Sequence, residues 1–227
     1  MNPFIAHKVK HKPVNIFTLI RNYRATFVGN PRLNNESRKG DHLQPTDKKE
    51  EIELVALCHQ GHDTGFTALY NKYARPVYNA ICRIISHTGE AEDILQESFY
   101  HAFSDIHRLQ NAASFGSWVH RIALNRSITH LRKRKIVFSD NGGLEVADEE
   151  GYDLEADNLF DCRVEDVKQA IEQLPQGYKT ILNLYLFEDI PQEEIAGMLG
   201  ISHSTVRTQY HRAKKKVIQS LKDRYHE

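Results

Sequence analysis

Apolar residues recur at helical period over most of this 227-residue chain. In the first half, Ile52, Val55 and Ala56 begin one such segment. Phe66, Leu69, Tyr70, Tyr73, Val77, Ala80, Ile81 and Ile84 follow at steps of three, one, three, four, three, one and three, with Pro76 inside the run as an expected kink. Thr88 is placed to cap a third helix whose inner face reads Ala91, Ile94, Leu95, Ser98, Phe99, Ala102, Phe103 and Ile106. Ser114 is placed to cap a fourth, with Phe115, Trp118, Val119 and Ile122 inward. No alternating strand pattern occurs between 48 and 136. Further on, Val164, Val167, Ile171 and Leu174 predict a helix stopped at Pro175, and Tyr178, Ile181, Leu182 and Tyr185 predict another. The fold class expected is all-α: two small helical domains packed helix on helix.

The most specific pattern is Pro191–Lys216. Ile195, Ala196 and Leu199 line one side of a short helix, and Gly200 suits the left-handed residue that ends it. Ser202 is a good N-cap for a second helix, whose buried stripe is Val206, Tyr210, Ala213 and Val217. The opposite face carries Ser204, Thr208, His211 and Lys215, flanked by Arg207 and Arg212. His203–Lys222 holds six Lys/Arg and no acid. A helix-turn-helix has this build: a small residue lets the helices approach, and the second offers donors to a major groove.

Charge sharpens the picture. Thirty Lys/Arg balance thirty Asp/Glu, but the signs are segregated along the chain. Arg121–Lys135 has six Lys/Arg and no acid, whereas Asp140–Asp161 has nine Asp/Glu and no base. Such segregation suits a protein that grips an anion with some parts and keeps others away. The three cysteines, Cys58, Cys82 and Cys162, are far apart and odd in number, which fits a reducing cytoplasm better than a disulfide framework. No run is long enough to insert in a membrane, and Pro13–Ile20 is too poor an apolar core for a signal peptide. Cys58, His59 and His62 lack an evident fourth ligand, and no phosphate-cradling loop or nucleophile elbow occurs. No metal, no cofactor and no enzyme activity are expected.

Several ordered motifs resemble one family. Phe66–Tyr70 (FTALY), Ala91–Glu97 (AEDILQE) and Trp118–Asn125 (WVHRIALN) look like the second conserved region of bacterial RNA polymerase sigma factors of the extracytoplasmic-function (ECF) group. Ile171–Pro175, Glu194–Ala196 and Ser202–Arg207 match the same group's fourth region. The resemblance spans about residues 50–222. It implies a sigma factor with core RNA polymerase and promoter DNA as partners, and it admits an anti-sigma factor. By position it puts Asp93, Gln96 and Glu97 on the polymerase, and Asn125, Arg126, Ser127, Ile128, Thr129 and Arg132 on the −10 element. Arg121, Lys133, Arg134 and Lys135 would hold phosphates nearby. Ser204, Thr205, Arg207, Thr208, Gln209, His211 and Arg212 fall on the −35 element. Periodicity turns Gln209 nearer the protein side. Thr129 stands where the family usually has Asp, and Pro191 where many relatives have a Ser/Thr cap. Trp118 could be a strand-opening aromatic, but its place on the inner stripe points to core packing.

The expected organisation is an N-terminal extension over 1–47, a first domain over 48–136, an acidic flexible linker over 137–162 and a second domain over 163–227. The extension has five Lys/Arg and no acid in residues 1–24 and reads as a mobile tail, with a DNA-touching arm as the other option. The alternative function is a stand-alone helix-turn-helix regulator that binds duplex DNA without polymerase.

Overall fold

The computed structural model describes residues 14–15, 45–134, 159–160 and 164–225. The rest of the N-terminal extension and most of the acidic linker lie outside the described residues. Eight α-helices carry the described fold. They are α1 (Pro45–His59), α2 (Asp63–Ile84), α3 (Thr88–Ser104), α4 (Phe115–Lys133), α5 (Val164–Glu172), α6 (Gln176–Leu186), α7 (Gln192–Leu199) and α8 (His203–Tyr225). Short 3-10 turns at Ile106–Arg108 and Ala112–Ser114 lead from α3 into α4. An antiparallel bridge of two residues a side pairs Val14 with Phe160 and Asn15 with Leu159. The fold is all-α, as expected.

Helix α2 buries Leu69, Val77, Ala80, Ile81 and Ile84 and runs through Pro76. Against it pack the whole expected stripe of α3, from Ala91 to Ala102, and Phe115, Val119, Ala123, Leu124, Ile128 and Leu131 of α4. Trp118 lies partly buried against this core, edge-on to Phe115 at 6.1 Å between ring centroids. On α1 the buried stripe is Glu51, Val55 and Cys58, one position off the expected one; Ile52 and Ala56 face outward. The reason is a cap supplied from a distance. Glu51 Oε1 accepts the backbone N–H of Gly116, at the start of α4, at 2.9 Å. Ser114, expected to cap that helix, makes no cap bond and donates its hydroxyl back to Asn111 O. Thr88 is likewise not a cap but the first residue of α3; His87 caps, its Nδ1 accepting from Glu90 N–H at 3.4 Å.

In the second group of helices, Pro175 and Pro191 stand just before α6 and α7 and offer no side-chain cap, the consequence expected at Pro191. Gly200 ends α7 in the left-handed conformation at φ 68°, and Ser202 Oγ accepts from Thr205 N–H at 3.0 Å to start α8. Val206, Ala213 and Val217 are fully buried and Tyr210 nearly so. The four helices do not share a single core. Val167, Ile171, Leu182, Phe187, Ala213, Val217 and Leu221 form one cluster, while Ile181, Leu184, Ile190, Ile195, Leu199, Val206 and Tyr210 belong to a cluster continuous with the core of α1–α4.

Candidate nucleic-acid interface

Three helical faces carry the residues singled out by sequence. On α3, with one face committed to the core, the 100° step per residue leaves Asp93, Gln96 and Glu97 exposed on the other. Tyr100 stands one turn further along the same face, 70% exposed. Sequence reasoning passed over it because an aromatic within an apolar-rich helix reads as core. Its offset of two from Ser98 and Ala102, both inward, was the available signal.

On α4 the six candidates separate by face. Asn125, Thr129 and Arg132 are exposed, and Arg126 is half-buried. Ser127 and Ile128 are buried, at 0% and 2% exposure, and cannot meet a base. Ser127 donates its hydroxyl to Ala123 O at 2.9 Å, and Ile128 is core. A contiguous block of residues carried over from a family motif ignores the helical period; of the six, the i, i+4, i+7 subset Asn125, Thr129 and Arg132 is fully exposed and Arg126 lies at its edge. Thr129 donates its hydroxyl to Asn125 O at 2.8 Å, one turn earlier.

On α8, Ser204, Arg207, Thr208 and His211 are exposed and Thr205 and Arg212 half-buried. Gln209 is 4% exposed, beside the buried Tyr210, and belongs to the protein side, as its period indicated. Ser202, Ser204 and Thr205 form a hydroxyl cluster at the helix start, with O···O distances of 2.8 and 2.7 Å from Ser202. Tyr185 packs edge-on to Tyr210 at 4.7 Å. Burial, and then the neighbouring Tyr185, push the Tyr210 phenol up to about 12, so it stays neutral under the outer face. Partial desolvation of His211, followed by the charges of Lys214 and Arg207, holds its imidazole below the ordinary range. At neutral pH it therefore presents one donor and one acceptor rather than a cation.

Two basic surfaces and one acidic-polar face, each on its own helix, suit a protein that holds nucleic acid at two places and another protein at a third. Comparison with known proteins decides which. Residues 69–136 match the model of sigma-70 region 2, and residues 165–217 that of sigma-70 region 4. RNA polymerase sigma factor SigV of Bacillus subtilis is 33% identical over 169 residues, covering 74% of this chain and 91% of the relative. The RNA polymerase sigma-H factor of Pseudomonas aeruginosa is 30% identical over 183 residues, covering 77% of this chain and 95% of the relative. The chain belongs to the sigma-70 family, among the ECF sigma factors. It binds core RNA polymerase and directs promoter recognition and transcription initiation. Among solved structures, it resembles that of CnrH in complex with the cytosolic domain of CnrY, at 18% identity, 76% coverage of this chain, 97% of that one and a TM-score of 0.44.

The sigma factor's acidic and basic faces are not independent. Glu97 of α3 pairs with Arg126 of α4 at 2.5 Å. Glu90 holds Arg134 and, at 3.2 Å, His130. The seam between α3 and α4 is thus laced by carboxylates that partly neutralise the basic helix. Among the described residues no helix is long and apolar enough to cross a membrane.

Proposed function

We propose a division of labour within this sigma factor. Residues 48–136 form the domain that docks on core polymerase through Asp93, Gln96 and Glu97, and it engages the −10 element as opened strand through Asn125, Arg126, Thr129 and Arg132. Residues 163–227 form the domain that meets the −35 element as duplex through Ser204, Thr205, Arg207, Thr208, His211 and Arg212. The acidic segment 137–162 joins them. Exposed polar edges flanked by cations suit base readout, with Lys/Arg supplying the phosphate grip that any sequence shares. The factor works where the polymerase is, in the cytoplasm, and family membership admits an anti-sigma factor as a further partner.

The observation that supports this reading best is the face-by-face sorting. On α4, and on α8 as far as Lys222, the exposed residues are polar or basic, and on α3 they are mainly acidic or polar. A partner of positive surface fits α3, and nucleic acid fits the other two. Run-off transcription with core polymerase on the DNA upstream of the factor's own gene tests it, with −10 and −35 substitutions made separately. Start-site selection that requires both elements is the expected result. Tight, sequence-specific duplex binding by the free protein, undiminished when polymerase is left out, would instead make it a stand-alone regulator.

A further inference from the structure

The basic N-terminal extension has no task in promoter recognition as proposed above, yet the fold ties it down at one point. Val14 pairs with Phe160 and Asn15 with Leu159 in antiparallel register. From Phe160 the chain reaches Val164, the start of α5, in four residues. Antiparallel pairing therefore directs the residues before Val14 along that same path, toward α5. Pro13, next in line, has no N–H with which to extend the ladder.

Beside α5 lies an open groove of about 390 Å³, shared with α6 and the end of α2. Ile171 and Phe187, both buried apolar residues, line it. Glu165, Lys168 and Glu172 line its α5 side, and Arg83 of α2 contributes from the first group. The charge this lining shows to solvent is acidic. The Glu165 and Glu172 side chains are 66% and 62% exposed, whereas Lys168 is 29% and Arg83 14% exposed. Arg83 is also held by Glu188 Oε1, which accepts from its Nε and Nη2 at 2.9 and 2.6 Å. Asp166 adds a further acid to the first turn of α5.

Residues 4–12 read Phe-Ile-Ala-His-Lys-Val-Lys-His-Lys. Side chains alternate along an extended chain, so Ile5 and Val9 share one face and Lys8, Lys10 and Lys12 the other. The lengths also agree. Phe160 to Val164 spans at most about 14 Å, and Val164 to Ile171 a further 10 Å or about that along α5. Counted back from Val14, Val9 lies within about 17 Å and Ile5 within about 30 Å, which brackets the groove.

We propose that this groove is the docking site of the chain's own N-terminal arm. The arm lies extended along α5 with Ile5 and Val9 over Ile171 and Phe187. Lys8, Lys10 and Lys12 bend their long side chains to the carboxylates of Glu165 and Glu172. No residue assigned above to polymerase or to DNA lines the groove, so arm docking and promoter recognition can each fail without the other. Docking fixes the C-terminal end of the acidic segment, and the extension with it, to the second group of helices.

Photo-crosslinking in the full-length protein tests this, with benzoylphenylalanine in place of Val9. Irradiation at low salt, followed by peptide mapping, should place adducts within residues 165–173 and at 187 of the same chain. Reversing the arm with Lys8→Glu, Lys10→Glu and Lys12→Glu should lower their yield about tenfold, as should salt at about 1 M, where the screening length falls to about 3 Å. Circular dichroism should not change, because the altered positions lie outside the helical core. Groove adducts indifferent to both arm charge and salt would overturn the proposal, since nearness along the chain would then account for them. Adducts joining two chains would make a second copy the occupant and overturn it too. So would adducts that move to a promoter duplex when one is added, which would make the extension a DNA-touching arm.

Discussion

Replacing Glu51 measures how much the foundation of the −10 helix depends on one distant carboxylate. Glu51 is 1% exposed, and its Oε1 holds the Gly116 N–H at the start of α4. Its Oε2 is buried with no hydrogen-bond partner among the described residues. Glu51→Ala strands the Gly116 donor, at about 1–3 kcal/mol. It also removes one buried methylene, at about 0.8 kcal/mol. Loss of an unsatisfied carboxylate oxygen offsets part of this, leaving roughly 2 kcal/mol, or about 4–8 °C in Tm for a chain of this size. Glu51→Gln keeps the shape and the acceptor. It forfeits only the attraction of a negative charge to a helix N-terminus, about 0.3–1 kcal/mol. The ordering native, Gln, Ala in urea unfolding and in thermal melting is therefore the expected outcome. A Gln variant as unstable as Ala would show that charge, not the accepted hydrogen bond, holds α4. Two variants within about 0.5 kcal/mol of native would show that the cap contributes nothing. Tyr73 closes the same corner from above: a Cβ on Gly116 would lie 2.4 Å from its ring, so Gly116→Ala should destabilise as well.

Four further outcomes are expected. The double change Asp93→Ala, Gln96→Ala should weaken pull-down of core polymerase with helicity by circular dichroism unchanged, since both side chains face away from the core. Tyr100→Ala should cost the same complex about 2 kcal/mol, the scale of an aromatic anchor, with no loss of folding stability, and Tyr100→Phe should restore most of it. Arg212→Ala should weaken holoenzyme binding by about 1–3 kcal/mol on native promoter and by little on a −35-scrambled one; equal losses would make it a phosphate contact. For pH, burial raises Glu188, but the His120 hydrogen bond and the Arg83 charge outweigh that, and its carboxyl titrates below its ordinary 4.5. A depressed carboxyl contributes stability above its unfolded value and loses it as pH falls through its folded value, so scattering should show the packing of the two helical groups unchanged by this group at neutral pH and opening only in acid below that ordinary value.

Much of the fold was legible because helical period is a local signal. The α8 stripe Val206, Tyr210, Ala213 and Val217 is buried throughout, and Gly200 is left-handed as its place demanded. Failures came where a distant group decides. Glu51 is buried for the sake of a backbone N–H 65 positions away, which rotates α1 and turns Ile52 outward. Ser114 and Thr88 had the right chemistry for caps and the wrong neighbours. Within the site, Ser127, Ile128 and Gln209 were admitted by motif position against their own helical phase, and burial removes them. Nothing local announces Glu188: its partners lie 105 and 68 positions back, and an acid in a turn reads as solvated.

The balanced net charge now has a structural meaning. The basic segment of α4 looked like six free cations in sequence, yet Arg126 and Arg134 are held by Glu97 and Glu90 of α3, and Arg121 by Glu194 of α7. Pairs this exposed contribute little to stability, on the order of 0–1 kcal/mol each. Their effect lies in what the helix offers to DNA. A phosphate approaching Arg126 must compete with Glu97, and Glu97 is one of the groups assigned to polymerase. A basic surface docked on α3 would draw Glu97 toward itself and leave Arg126 more open to phosphate. Since linkage is reciprocal, single-stranded −10 DNA bound at Arg126 would strengthen docking by the same factor. Weak surface pairs are suited to such an exchange, because replacing one partner by another of like charge costs little. A strongly buried pair such as Arg83 with Glu188 is suited to the opposite task, holding one packing of the two helical groups.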